Sequence, residues 1–175
     1  MERDITIRRA GTSDAGTLAD IGARTFTQTF GHLYHPEDLS AFLAKSHVPD
    51  TYEAMLRTGY AAWLARDGAG AAVGYCVAGP CALPVDPMPR NAGELARLYV
   101  DRHAQGHGLG VAMLETALAW LEERYAHLYL SVFSENFGAQ RLYERYGFAK
   151  VAEYKFMVGN HADHEFLYQR FPEGL

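Results

Sequence analysis

The sequence predicts one α/β domain over residues 1–175, a mixed central sheet of about seven strands flanked by helices. Three observations predict it. Apolar residues recur at helical spacing in some stretches and form short alternating or continuous β-type runs in others. With 175 residues, 49% of them hydrophobic and 21% charged, the chain has material for one ordinary core. At this length about two-thirds of the unfolded surface can be buried. Finally, the stretch 94–121 (ELARLYVDRHAQGHGLGVAMLETALAWL) reads as a strand, a glycine-punctuated loop and a long amphipathic helix.

Taken in order, Ile5 and Ile7 alternate with Thr6 and Arg8 as a first strand. Thr12-Ser13-Asp14 offers an N-cap. Ala15, Leu18, Ile21 and Gly22 then carry a helical stripe to Phe26 and Phe30. Pro36-Glu37-Asp38 opens a second helix with proline and acid in its first turn, and Pro49-Asp50 a third that stops near Gly59. Residues 60–66 and 71–78 are apolar runs joined by Asp67-Gly68-Ala69-Gly70, a hairpin signal. Pro84, Pro87 and Pro89 make 81–91 a loop that delivers the chain to the strand at 94–100. Beyond Gly110, Leu114, Ala117, Leu118 and Leu121 mark one helix face. Residues 127–133 read as a buried strand and 136–146 as a helix, with Gly147 as its left-handed C-terminal residue and Phe148 as the apolar contact after it. Residues 151–158 and 165–171 supply the last strands, with Gly159-Asn160 between them.

Composition excludes several classes. No apolar run reaches the ~20 residues of a membrane span, and MERDITIRR lacks a signal-peptide core, so a soluble cytoplasmic protein is expected. A net charge of −5 argues against a nucleic-acid partner. Cys76 and Cys81 are too few for a disulfide framework; Cys76 falls inside a buried strand pattern, and Cys81, in a loop, has no evident base partner. His32-x-x-His35 and His161-x-x-His164 lack further ligands in sight, so no metal is expected.

Glycines that lead into a helix free several backbone N–H groups to converge at the positive end of the helix dipole, which suits a phosphate. A nucleoside-triphosphate loop would need Lys-Ser/Thr after its last glycine, where Val111-Ala112 stands. A dinucleotide loop needs GxGxxG, but these glycines are spaced GxGxG. What fits is Gln105-x-x-Gly108-x-Gly110 behind a Leu-Tyr-Val strand. Downstream stands a second pattern, Asn136, Ala139, Leu142, Tyr143, Gly147 and Phe148. Together the two motifs resemble the coenzyme A-binding core of the GCN5-related N-acetyltransferase superfamily over roughly residues 60–171.

The resemblance implies fourth and fifth strands, here 94–100 and 127–133, that splay apart. The pantetheine arm of acetyl-CoA would pair with main chain at Leu98, Tyr99 and Val100, a strand added by a ligand. Its pyrophosphate would sit on the N–H groups of Gln105, Gly106, His107, Gly108, Leu109 and Gly110. Asn136 would contact the arm, although asparagine is also a favoured helix cap. Tyr143 matches the tyrosine that protonates the departing thiolate, a phenol of pKa ~10 being protonated at neutral pH. The competing reading of Tyr143 is a core tyrosine beside Leu142 and Tyr146. Glu94 resembles in placement the general-base glutamate of some members, against a surface glutamate at a strand start. Asp101 and His103 read as solvated, and 26–34 (FTQTFGHLY) as half core and half acceptor wall.

The implied reaction is direct attack of a small-molecule primary amine on acetyl-CoA, without an acyl-enzyme. Phe26, Phe30, Tyr34, Glu37, Asp38 and Leu39 are similar to a segment of bacterial polyamine acetyltransferases. The alternatives are a protein lysine or N-terminal acetyltransferase and a non-catalytic acyl-CoA sensor. Acyl chains longer than acetyl, and the oligomeric state, a homodimer included, stay open.

Overall fold

β-Branched and aromatic residues at alternating positions, punctuated by turn residues, produce one seven-stranded sheet with helices on both faces. This computed structural model describes residues 4–171, so the outermost residues of the expected 1–175 domain lie outside the described ones. The elements are β1 (Thr6–Ala10), α1 (Ala15–Phe30), α2 (Pro36–Ser46), α3 (Pro49–Arg57), β2 (Ala61–Arg66), β3 (Ala72–Pro80), β4 (Ala92–Val100), α4 (Leu109–Glu122), β5 (His127–Phe133), α5 (Phe137–Arg145), β6 (Phe148–Val158) and β7 (His161–Arg170). Strand order is β1-β2-β3-β4-β5-β7-β6, so the last strand inserts between β5 and β6.

Both faces are apolar where helices cover them. α4 packs Met113, Leu114, Ala117 and Leu121 against Trp63, Cys76, Leu95 and Leu130 on one face. α1 and α3 cover the other with Leu18, Ile21 and Tyr52 against Leu64, Tyr75 and Val77. The sequence expectations hold to within a few residues, with three differences, the first being that β7 starts at His161 and not at residue 165. Residues 12–14 form a 3-10 turn rather than a forward cap, because the Asp14 carboxylate turns back to accept the Gly11 N–H at 2.9 Å. Strand β6 starts at Phe148, directly after Gly147, whose φ of +89° lets the chain reverse out of α5.

Two departures from regularity open the sheet. β4 and β5 are parallel neighbours only from Ala92↔His127 to Leu95↔Leu130. Beyond that point β4 keeps β3, β5 keeps β7, and the two strands part. The expected splay is therefore present. Second, β3 pairs Val77 with Arg97 but Ala78 with Leu95, which leaves Ala96 opposite no residue, a β-bulge. Leu95, Leu98 and Val100 consequently face α4, whereas Tyr99 packs toward α1 and α3. Arg97 joins it there, stacked over Tyr52 at 4.8 Å.

Candidate active site

The splay is the mouth of a cleft of about 960 Å³, walled by β4 on one side and β5 with α5 on the other. Along β4 the edge from Ala96 to Val100 has no partner strand on the β5 side. Its main-chain groups are thus available to an extended ligand. Gln105 Nε2 donates to the Val100 carbonyl at 3.0 Å and ties the loop to the strand end.

The loop takes the shape its glycines allow. Gly106 and Gly108 adopt φ of +84° and +79°, the left-handed region. A Cβ at either would meet nothing within 4 Å, so these glycines serve backbone direction and open space, not packing. Gly108 is the N-cap of α4, whose first-turn N–H groups lack helical acceptors, and Gly108 to Val111 line the cleft. Gln105, Gly106, Gly108, Leu109 and Gly110 all line the cleft; His107, of the expected loop set, is exposed and stands outside its wall.

Asp101, expected to be solvated, is buried instead. Its carboxylate accepts from Arg24 Nε at 2.9 Å, Gln28 Nε2 at 3.4 Å and the His103 N–H at 3.0 Å. Burial pulls its pKa upward, but these donors prevail and hold it below the usual value. The network anchors the start of the loop to α1.

Tyr143 is 9% exposed on α5 and lines the cleft, its ring edge-on to Phe148 at 6.3 Å. Burial pushes its phenol up to about 12. Among the described residues no hydrogen bond engages that hydroxyl, so it remains a protonated donor facing the cleft. Asn136 Oδ1 accepts the Ala139 N–H at 3.3 Å and caps α5, while the residue also lines the cleft. The cap and a place on the cleft wall thus coexist at one position.

Glu94 is no surface glutamate: it is 6% exposed. Its Oε1 accepts from the Ala82 N–H at 3.1 Å and Tyr60 Oη at 3.4 Å. Burial raises its pKa, partly offset by those donors and by Arg97. Arg97 Nη1 donates to the Ser46 carbonyl at 2.9 Å. The nearby His47, pushed down to about 3 by burial and Arg97, is neutral.

The far half of the cleft contains groups that the sequence reading passed over. Ser131 Oγ lies 2.6 Å from Tyr154 Oη and 3.0 Å from Glu165 Oε2. Tyr34 Oη donates to Asp163 Oδ2. Phe26, Phe30, Phe42 and Phe156 form the aromatic wall, so the 26–34 stretch does serve both core and cleft. A signal was present: Asp163 and Glu165 alternate with His164 and Phe166, which puts both acids on one strand face.

The comparisons agree with this architecture. Residues 24–148 match the acetyltransferase (GNAT) family. The chain belongs to that family and is an acetyltransferase by class. The probable spermine N(1)-acetyltransferase of Bacillus subtilis subsp. natto is 44% identical over 64 residues, 35% of this chain and 42% of that one. The chain thus aligns with less than half the length of that relative. An uncharacterised N-acetyltransferase of Lactobacillus delbrueckii subsp. lactis is 28% identical over 178 residues, covering 95% and 96% of the two chains. Among solved structures, the PaiA N-acetyltransferase of Thermoplasma acidophilum, in complex with coenzyme A, superposes with a TM-score of 0.74 at 15% identity, covering 97% and 99%. That likeness is one of fold.

Whether coenzyme A suits this cleft is decided by its own donors. A pyrophosphate needs convergent N–H groups beside open space, and the 105–110 loop has both. An amide-bearing arm needs an unpaired strand edge, which residues 96–100 provide. The residues present fit the group.

Proposed function

We propose that the protein is a single N-acetyltransferase domain that moves the acetyl group of acetyl-CoA to a primary amine of a small cationic molecule by direct attack. The observation that carries this reading is the meeting, in one cleft, of a protonated Tyr143, a buried Glu94 and the glycine loop at the start of α4. Acetyl-CoA supplies an activated thioester when bound.

The chain's own residues have five tasks. Leu98, Tyr99 and Val100 hold the arm by main chain, and residues 105–110 hold the phosphates. Glu94 takes the proton that an ammonium must lose before its nitrogen can attack; a dry, high-pKa carboxylate suits that step. Main-chain N–H groups at the bulge near Leu98 face the developing oxyanion. Tyr143 gives its proton to the leaving sulfur, and the phenolate regains one, through water, from the acylated nitrogen as that nitrogen loses its second proton.

The acceptor is a small molecule of polyamine type. The aromatic wall and the acids of the far half support this reading, as does the likeness to the probable spermine N(1)-acetyltransferase of Bacillus. The test is thiol release, read with 5,5′-dithiobis(nitrobenzoate), from purified protein, acetyl-CoA and a panel of diamines, monoamines, amino acids and peptides. Turnover fastest with small amines is expected. Peptides outrunning them would move the reading to protein acetylation, and acetyl-CoA binding with no thiol release would make the chain a sensor.

A further inference from the structure

Two carboxylates in the far half of the cleft have no Lys or Arg ion pair among the described residues. Asp163 is 5% exposed, and its Oδ1 accepts no hydrogen bond among the described residues. His161 Nε2 lies 3.3 Å from that oxygen without hydrogen-bond alignment, on a side chain 44% exposed at the rim. Two residues along β7, on the same strand face, Glu165 takes one hydrogen bond, from Ser131 to Oε2. Its other oxygen has no hydrogen-bond partner among the described residues, and the residue lines the cleft. Burial, and then the Asp163 charge, lift the Glu165 carboxyl to about 7.

A buried Asp163 carboxylate and a half-buried Glu165 beside it, each with a single hydroxyl donor, cost free energy unless a positive group joins them. The walls indicate what kind. Phe26, Phe30, Phe42 and Tyr34 present ring faces and edges, a lining that accepts an alkyl chain and an ammonium together. Arg97, half-buried on the cleft wall, directs its guanidinium elsewhere, to the Ser46 carbonyl and the Tyr52 ring.

Sheet geometry sets the span. Glu94 on β4 is level with Tyr129 on β5, and the Glu165 carboxylate reaches Ser131, two residues further along β5. One strand across and two residues along puts the Glu94 and Ser131 backbones about 8 Å apart on ordinary sheet spacings, and the Glu165 carboxylate lies beyond Ser131, on the far side from Glu94. Both carboxylates border the same cleft. A nitrogen at each end, with methylenes between, matches a short aliphatic diamine or a stretch of polyamine.

We propose that Glu165, backed by Asp163, seats a second, unreacting ammonium of the acceptor, so that the enzyme selects diamines over monoamines. The inference rests on the acetyltransferase reading for the role of Glu94, but its test does not require turnover. Protein saturated with coenzyme A is titrated calorimetrically with 1,4-diaminobutane and with 1-aminobutane. The diamine is expected to bind about tenfold to a hundredfold more tightly, the range of one charge-assisted contact. In Glu165→Gln that ratio is expected to fall to near unity; Asp163→Asn, which keeps an acceptor for Tyr34, is expected to lower it in the same direction. Equal affinities in the wild type, or a ratio that survives Glu165→Gln, would overturn the proposal. Thiol release measured alongside separates the two claims: a diamine preference without turnover sinks the activity alone, and turnover without the preference sinks the second subsite alone.

Discussion

Replacing Tyr143 with phenylalanine removes one oxygen atom and little else. The ring stays against Phe148, and no hydrogen bond among the described residues is lost with the hydroxyl. Stability should therefore change by less than about 0.5 kcal/mol, the level of a substitution that breaks no buried contact. The catalytic effect is of another size. Burial holds the phenol protonated to about pH 12, so at neutral pH it is a fully loaded donor. Positioned proton donors contribute about 10² to 10⁴ in rate, and the lower end applies here because a thiolate leaves tolerably without help. A hundredfold loss corresponds to about 2.7 kcal/mol on the barrier. The assay is thiol release at saturating acetyl-CoA and amine, with a thermal melt and acetyl-CoA calorimetry on the same preparation. A kcat within twofold of wild type would refute the assignment. A large rise in the acetyl-CoA Kd with kcat intact would make Tyr143 a binding residue.

Gly108→Val places a branched side chain at φ +79° in space the protein leaves empty. Left-handed backbone costs a non-glycine residue about 1–2 kcal/mol, so the fold should survive with a melting temperature lower by several degrees. Acetyl-CoA affinity should fall by about a hundredfold or more, since one lost phosphate site is worth several charge-assisted bonds; retained affinity would mean the phosphates lie elsewhere. For Glu94, burial raises the pKa, so kcat/KM should climb with pH through a limb above the ordinary carboxylate range and level off once the base is ionised. Glu94→Gln should remove that limb, and a limb unchanged in the variant would assign it to another group. Glu165 gives a stability test. Its pKa rises from 4.5 to about 7 on folding, so the folded state binds the proton more tightly. That contribution is fully present below pH 4.5 and lost as pH rises through about 7, a swing of up to about 3 kcal/mol. Melts of Glu165→Gln should accordingly show a gain over wild type at pH 8 and none at pH 4; an equal effect at both would contradict the burial argument.

What the sequence made legible was contiguous. The glycine loop, α4, β5 and the Asn136–Tyr143 pattern each lie within a single short stretch, where spacing alone positions the residues. Helix and strand periods also located the hairpin of β2 and β3 and the left-handed Gly147. The acceptor half was illegible because its pieces are distant in the chain: Tyr34 and Asp163 are 129 positions apart and meet only because β7 inserts between β5 and β6. Asp101 looked solvated for the same reason, its partner Arg24 being 77 positions away on α1. The bulge at Ala96 defeated simple alternation. A period of two from Glu94 selects Ala96 and Leu98, yet the side chains turned toward α1 and α3 beyond the bulge are Arg97 and Tyr99. No local composition marks such a bulge.

The central claim is that the splay between β4 and β5 holds acetyl-CoA with its thioester at Tyr143. A crystal structure of the protein with coenzyme A and a diamine tests it most directly. The arm should run beside Leu98–Val100 with the phosphates on the N–H groups of residues 105–110. The sulfur should lie within hydrogen-bond reach of Tyr143 Oη, about 3–3.5 Å. Coenzyme A bound outside the splay, or a sulfur well beyond the reach of Tyr143, would contradict the account.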